Sequence, residues 1–126
     1  MEIKNIKFRA KRLDGEGWVK GDLLHSYENG VIIVPIEGGG AFSVDPATVS
    51  QFTGLKDDNN GEEVWEHDIL ASPFLKGEVV FFNGCFRVKK DDGSSLSFPT
   101  LSIINGKLRY FSVVGNKFDR KVRNEE

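Results

Sequence analysis

The fold of this chain is decided by the stretch Lys76-Gly77-Glu78-Val79-Val80-Phe81-Phe82-Asn83-Gly84-Cys85-Phe86-Arg87-Val88. Both flanks are rich in β-branched and aromatic residues, which favour strands. The Asn83-Gly84 pair between them combines two residue types that tolerate the positive φ angles of a two-residue hairpin turn. The stretch therefore predicts a β-hairpin, which Asp91-Asp92-Gly93 is expected to end.

Period-two alternation and turn residues dominate the remaining sequence as well. Ile6, Phe8 and Ala10 alternate with lysine and arginine residues, as expected of a half-buried first strand that precedes an Asp14-Gly15 turn. Asp45-Pro46 is suited to capping a single helical turn. The other predicted strands are 18–24, 31–35 after an Asn29-Gly30 turn, 41–44, 49–53, 96–104 with a break at Pro99 and, beyond Asn105-Gly106, 108–114. Residues 56–63 are expected to form an exposed loop and residues 64–68 a short turn of helix.

Length and composition predict one core or two small fused lobes, in either case without covalent staples. The chain has 126 residues with ten Phe and two Trp, enough large apolar side chains for a core. Cys85 has no partner for an intrachain disulfide, and residues 1–5 contain no apolar run of the kind that begins a signal peptide. These features predict a cytoplasmic protein that has no membrane segment and needs no cofactor.

Charge is unevenly distributed along the sequence, although the net charge is only −2. Residues 1–20 and 69–126 have an excess of basic side chains, whereas residues 21–68 contain Lys56 as their only basic residue among ten acidic ones. Such blocks either steer an oriented partner or intermix on the folded surface. Both interpretations stay open at this stage.

The acidic stretch 56–63 does not match a calcium-binding loop. When Gly61 is aligned with the invariant glycine of an EF-hand loop, Lys56 and His67 occupy the first and last ligand positions, where Asp and Glu are needed. We therefore expect no metal site in this stretch.

Catalytic groups are equally hard to find. Glu62, Glu63, Glu66 and Asp68 are clustered in a polar stretch, where carboxylates are usually solvated and unsuited to acid catalysis at neutral pH. His67 beside Asp68 would need Cys85 as its nucleophile, and a thiol within a strand is more often a small buried side chain. The sequence therefore predicts a protein that is not an enzyme.

A basic and aromatic group of residues is a candidate nucleic-acid patch. Small β-barrels often bind nucleic acids through such side chains on one face. The pI near 5.7 argues against a general affinity for polyanions, although a local patch can outweigh the total charge. The residues of the predicted patch are Arg87, Lys89, Lys90, Lys107, Arg109 and Tyr110.

Six short segments, in order and over nearly the full length, resemble the YopX family, whose members are encoded by phages, prophages and other mobile elements of bacteria. They are Ile6-Lys7-Phe8-Arg9-Ala10, Gly17-Trp18-Val19-Lys20-Gly21, Val44-Asp45-Pro46-Ala47-Thr48-Val49, Gln51-Phe52-Thr53-Gly54-Leu55-Lys56-Asp57, Glu63-Val64-Trp65-Glu66-His67-Asp68-Ile69-Leu70 and Val113-Val114-Gly115-Asn116. Two departures stand out: the turn from Asp57 to Gly61 is one residue longer than is usual in the family, and His67 replaces a common glycine. This histidine implies either that a positive φ is not compulsory there or that the loop is rearranged.

The resemblance implies a phage-type origin, an SH3-type small barrel in the second half, and a capacity for self-assembly, but it supplies no activity. We expect a β section at 1–52 packed on the barrel, the barrel itself at 53–119, and a frayed tail at 120–126, with a single domain over 1–119 as the alternative. The family signature residues, which we interpret as structural, are Thr53, Gly54, Leu55, Asp57, Gly61, Trp65, Glu66 and Asp68.

Within the signature, each residue type has a physical task. Gly54 is expected to turn the chain, and Leu55, Val64, Trp65 and Ile69 to fill the base of the barrel. The Asp68 carboxylate is suited to accepting backbone N–H groups at the entry to a strand.

The hypothesis favoured by these observations is a non-catalytic binding protein in the cytoplasm of a bacterial host. Its partner would be a host or phage protein, or a second copy of the chain in a homo-oligomer. The alternative is a small nucleic-acid-binding β-barrel.

Overall fold

The computed structural model describes residues 2–26, 28 and 30–119, and in this part of the chain the protein is mainly β. Its helical segments here are single 3-10 turns at Ile3–Asn5, Pro46–Thr48 and Phe98–Thr100. The prediction of a mainly β protein with little helix is confirmed. The tail predicted at 120–126 lies outside the described residues. No helix in the described part of the chain has the length and apolar character that a membrane crossing requires.

The chain divides into two compact units, with the boundary between Phe52 and Thr53. The first unit is an antiparallel sheet in the order β5-β1-β2-β3-β4, in which β5 takes part through its first residues. Its strands are β1 Phe8–Lys11, β2 Trp18–Ser26, β3 Gly30–Val34, β4 Phe42–Ser43 and the start of β5 Ser50–Asp57.

The core of the first unit is small, with Ala10, Ile33 and Val44 as its fully buried side chains. The predicted cap at Asp45 is confirmed, because its Oδ1 accepts a hydrogen bond of 3.0 Å from the N–H of Ala47. Of the predicted Asn29-Gly30 turn, Gly30 has a φ of 74°, whereas Asn29 lies outside the described residues.

Hydrogen bonds to side chains close the predicted Asp14-Gly15 turn in the first unit. Asp14 Oδ2 accepts a hydrogen bond from the Arg12 guanidinium, and Asp14 Oδ1 accepts one of 3.0 Å from the N–H of Glu16. These two bonds, of which the one from Arg12 has the larger effect, hold the pKa of Asp14 below its ordinary value.

The second unit is built on a five-stranded antiparallel sheet in the order β10-β9-β8-β7-β13. The remainder of β5 pairs with β6 and, in parallel, with β12. The strands are β6 Glu63–Trp65, β7 Asp68–Ala71, β8 Lys76–Phe82, β9 Cys85–Lys89, β10 Ser95–Ser97, β11 Ile103–Ile104, β12 Lys107–Leu108 and β13 Ser112–Asn116. No ladder joins β10 to β13 within the described residues, so this sheet is not closed.

The predicted hairpin is confirmed as β8 and β9. Phe82 pairs with Cys85, and the intervening Asn83 and Gly84 have φ angles of 51° and 81°, as the Asn-Gly turn requires. Val79 and Val88 lie opposite each other in the ladder, and both are buried in the core of the unit. The core consists of Val64, Leu70, Val79, Val88, Phe98, Leu108, Phe111 and Val113.

Two local predictions in the second unit are wrong. The turn of helix predicted at 64–68 is instead strand β6 followed by a tight turn, because β6 pairs with β5 and the chain must reverse before β7. The two strands predicted at 96–104 and 108–114 are four short ones, and the predicted break at Pro99 is confirmed as the 3-10 turn Phe98–Thr100. Tyr110, with a φ of 74°, lies in the break between β12 and β13.

Candidate functional site

The Asp57 carboxylate, at the end of β5, is fully buried, although the sequence predicted an exposed loop from residue 56 to 63. Its Oδ1 accepts hydrogen bonds from the N–H groups of Asn60 at 3.0 Å and Glu62 at 2.9 Å. Its Oδ2 accepts one of 2.8 Å from the N–H of Val113 in β13. The exposed-loop prediction is therefore wrong at Asp57, whose carboxylate holds the loop and the final strand together. Residues 58–61 are exposed, as expected.

A second buried carboxylate, that of Asp68, lies at the start of β7 and is 2% exposed. Its Oδ2 accepts a hydrogen bond of 2.8 Å from the N–H of Trp65, and its Oδ1 one of 3.0 Å from the side-chain amide of Asn116. The expectation that Asp68 accepts a backbone N–H at the entry to a strand is confirmed. Because each carboxylate accepts N–H groups from the strands around it, both belong to the packing of the unit.

The turn between β6 and β7 places His67 at a φ of 75°, so this residue adopts a positive φ although it is not a glycine. Its N–H donates to the Val79 carbonyl at 2.7 Å, and its carbonyl accepts from the N–H of Lys117 at 2.8 Å. The ring lies with Nδ1 3.1 Å from Glu78 Oε2 and packs edge-on against Phe118, with ring centroids 5.0 Å apart. These contacts offset a backbone conformation that costs an L-residue about 1–2 kcal/mol.

The remaining signature residues also have packing or turn contacts. Thr53 Oγ1 donates to the Val64 carbonyl at 2.7 Å, and Gly54 and Gly61 have positive φ angles of 86° and 68°. Gly54 lies within β5, so the predicted turn of the chain at this residue is wrong. Trp65 is buried, and Leu55 packs against the core. Glu66 Oε2 lies 3.7 Å from His67 Nε2.

Ile69 departs from the role that the sequence predicted for it. It is half-buried and lines a surface groove beside Lys76 and Glu78 instead of joining the core, so its predicted place is wrong.

The groups considered for catalysis do not converge. The ring of His67 lies against Glu78, which pairs with Lys89, whereas Cys85 is at the other end of the same ladder, opposite Phe82. Four residues of β9 separate the two ends, about 13 Å at the rise of an extended strand. In the part of the chain that the structure describes, no three His, Cys, Asp or Glu side chains are grouped as a metal ion would need.

The solvent side of β8, β9 and β10 forms a groove of about 410 Å³. Val80 lies directly opposite Arg87, and Lys89 opposite Ser95, so these side chains share one side of the sheet with Phe82. Phe82 is 62% exposed. The residues that we call the outer hairpin face are Val80, Phe82, Arg87, Lys89 and Ser95.

The predicted basic patch is brought together only in part. Arg87 and Lys89 line the groove of the outer hairpin face, and Lys89 and Lys90 line a neighbouring groove of about 430 Å³. The other three predicted residues are on the segment from β12 to β13 and line neither groove. There the Arg109 guanidinium lies 4.8 Å from the centre of the Tyr110 ring, which packs edge-on against Phe74.

Sequence reasoning missed the aromatic component of the outer hairpin face. The available signal was the Phe81-Phe82 pair next to the turn. Because strand side chains alternate between the two sides of a sheet, two adjacent Phe residues cannot both be directed to the core. Phe81 packs against Phe86, with ring centroids 5.0 Å apart, yet it is 50% exposed and lines the edge of the same groove. Phe82 lies on the solvent side.

Comparison with known proteins identifies a family for the chain. No curated protein matches the chain. The family model described as YopX protein matches residues 7–121, a span that contains both buried carboxylates and the hairpin. This match confirms the resemblance seen in the sequence: the chain belongs to the YopX family.

Proposed function

We propose that this chain is a non-catalytic binding protein and that the outer hairpin face is its binding surface. The observation that carries the proposal is the exposed ring of Phe82 in a groove that also contains Arg87 and Lys89. Single exposed apolar side chains are common on soluble proteins, but a concave surface that combines one with convergent polar groups is typical of a binding site.

The placement of the acidic residues supports binding without catalysis. Asp57 and Asp68 accept N–H groups of the surrounding strands, which leaves them poorly placed to exchange protons with a substrate. Cys85 lies at the hairpin turn, away from the contacts of His67. A surface that recognises a partner therefore accounts for the arrangement better than a reaction centre does.

The strand order supports a finer description of the second unit as an SH3-type open barrel. Four consecutive strands, β7 to β10, form an antiparallel meander, and the last strand, β13, returns beside the first. A 3-10 turn follows β10, before the chain reaches β13. Fold alone assigns no function, so the binding surface is argued from its side chains.

Membership of the YopX family and the lone Cys85 support action in the cytoplasm of a bacterial host. There the partner would be a host or phage macromolecule, or a second copy of the chain. The exposed ring of Phe82 is by itself compatible with each of these partners.

The test compares the immobilised wild-type chain with Phe82→Thr and with Phe74→Thr as a matched control. Phe74 is also an exposed aromatic residue of the second unit, 75% exposed, but it lies in the loop between β7 and β8. Host lysate is applied with and without nuclease, and self-association is followed by sedimentation.

We expect wild type and Phe74→Thr to capture the same partner or self-associate equally, and Phe82→Thr to lose that interaction. Equal behaviour of all three proteins would contradict the proposal, as would a wild-type chain that stays monomeric and captures nothing.

A further inference from the structure

We infer that the ligand of the outer hairpin face is single-stranded nucleic acid, bound with its bases on Phe82 and its phosphates at Arg87 and Lys89. This inference rests on the proposed function, because it names the partner of the same surface. It is carried by the juxtaposition of an exposed aromatic ring with two cations along one side of an open sheet.

The geometry of the face suits an extended strand. Phe82, Arg87 and Lys89 lie on the same side of the β8–β9 ladder. Phe82 pairs with Cys85, and every second side chain of β9, at 85, 87 and 89, is on that side. From the row of Phe82 to the row of Lys89 the face extends four residues, about 13 Å. A face of this length can follow the backbone of a short single-stranded segment.

The charge of the groove is that of its two cations. In the described part of the chain, Arg87 and Lys89 form no ion pair with a carboxylate, and no acidic side chain lines the groove. Glu78, which lies opposite Lys89 in the ladder, directs its Oε2 to His67 Nδ1 at 3.1 Å. The groove therefore presents positive charge to an anionic ligand, although the chain as a whole has a net charge of −2.

Arg87 is positioned for a phosphate by a bond within the hairpin. Its Nε–H donates to the Phe82 carbonyl at 3.0 Å. A guanidinium has five N–H donors in a planar fork, so four of them remain for a phosphate group. The same hydrogen bond ties the cation to the backbone of the residue whose ring is exposed, so the charge and the aromatic side chain lie at the same end of the hairpin.

The aromatic ring favours single strands over duplexes and over protein. A base can stack on Phe82 only when its own face is uncovered, which a duplex does not allow. Stacking is also tolerant of sequence, and this face offers few groups that could read base edges. A protein partner would have to supply acidic groups for both cations as well as a pocket for the ring, and this alternative is one outcome of the test.

The experiment measures fluorescence anisotropy of a labelled oligothymidylate of about 12 nucleotides, within the site size of small β-barrels, across a series of salt concentrations. The proteins are wild type, Phe82→Thr, Arg87→Gln, Lys89→Gln and the control Phe74→Thr. An oligouridylate of equal length and a DNA duplex are the comparison probes.

We expect wild type and Phe74→Thr to bind both single strands alike and the duplex more weakly. Loss of one stacked base in Phe82→Thr should weaken binding about 5- to 100-fold. Arg87→Gln and Lys89→Gln should each lower the slope of log K against log salt by about 0.7, the contribution of one phosphate contact.

The inference is overturned if wild type fails to bind the oligonucleotide at low salt, or if Phe82→Thr and Phe74→Thr bind equally well. It is also overturned if the lysate experiment yields a protein that depends on Phe82 while the oligonucleotide does not bind. In that last case the proposed function stands and only the ligand class is wrong. If Phe82→Thr behaves like wild type in both the lysate and the oligonucleotide experiments, the proposed function and the ligand class are both wrong.

Discussion

The signature segment, residues 53–70, and the outer hairpin face belong to the same unit, yet they use polar side chains in opposite ways. In the signature segment, Asp57 and Asp68 are buried and accept N–H groups from neighbouring strands. On the outer hairpin face, Arg87 and Lys89 have no carboxylate partner among the described residues and lie beside an exposed ring. Polar groups that are satisfied internally stabilise a fold, whereas those left unpaired beside an apolar surface are available to a ligand.

The most recognisable part of the sequence is therefore not the part expected to bind. Changes in the signature segment should alter the free energy of unfolding, and changes on the outer hairpin face should alter binding. The following variants test that division, beginning with the largest expected effect.

Asp57→Ala should have the largest effect on stability. It removes the acceptor of three backbone N–H groups, two partly buried and that of Val113 buried, and a buried donor left without a partner costs about 1–3 kcal/mol. We expect a loss of about 4 kcal/mol or more in urea unfolding. Asp57→Asn keeps one acceptor oxygen and should lose about half as much, and a variant as stable as wild type would show that the carboxylate is not structural.

Gly77→Ala tests the close approach of β8 to β9 in the β8–β9 hairpin. A Cβ at this buried position would lie 2.5 Å from the Lys89 carbonyl oxygen, so β8 and β9 would have to move apart. We expect a loss of about 2–3 kcal/mol, the range for overpacking, measured by urea unfolding. Gly93→Ala, whose added Cβ meets no atom within 4 Å but which has a φ of 90°, serves as a control for strain without a clash. An equal loss in both variants would mean that the close approach at Gly77 is not what matters.

His67→Gly and His67→Ala test the turn between β6 and β7. Both remove the ring contacts with Glu78 and Phe118, but only glycine adopts the φ of 75° without a steric penalty. We therefore expect the glycine variant to be about 1 kcal/mol more stable than the alanine variant in thermal unfolding. If alanine is equally stable, the positive φ is not a constraint on this turn.

Phe82→Thr should have the smallest effect on stability and a large one on binding. The side chain is exposed, and surface substitutions of this kind usually change the free energy of unfolding by less than about 0.5 kcal/mol. Urea unfolding should therefore overlay that of wild type. A clear loss of stability would place the ring in the packing of the unit and remove the distinction between the two regions.

Local features were the ones that could be predicted from the sequence. The β8–β9 hairpin was predicted correctly because both of its signals, strand-forming flanks and an Asn-Gly turn, are contained in thirteen consecutive residues. The Asp45 cap and the backbone acceptor role of Asp68 involve neighbours two and three residues away. The strands of the first unit follow from alternation and turn residues for the same reason.

What could not be predicted depends on residues that are distant in sequence. Asp57 lies in a polar stretch, and no neighbouring residue indicates that its carboxylate is buried and accepts a hydrogen bond from the N–H of Val113. The helical turn predicted at 64–68 is wrong because pairing with β5 overrides local propensity. The groove at Phe82 required the cross-strand register, which brings Arg87 and Lys89 to the same side as that ring.

Asp68→Ala, examined by its thermal midpoint together with binding at a temperature where the variant is folded, tests the central claim most directly. The carboxylate joins the N–H of Trp65 to the amide of Asn116, so its loss should lower stability by about 1–3 kcal/mol and leave the binding of folded molecules unchanged. An unchanged midpoint accompanied by lost binding would contradict the account, because the signature would then act on the ligand rather than on the fold.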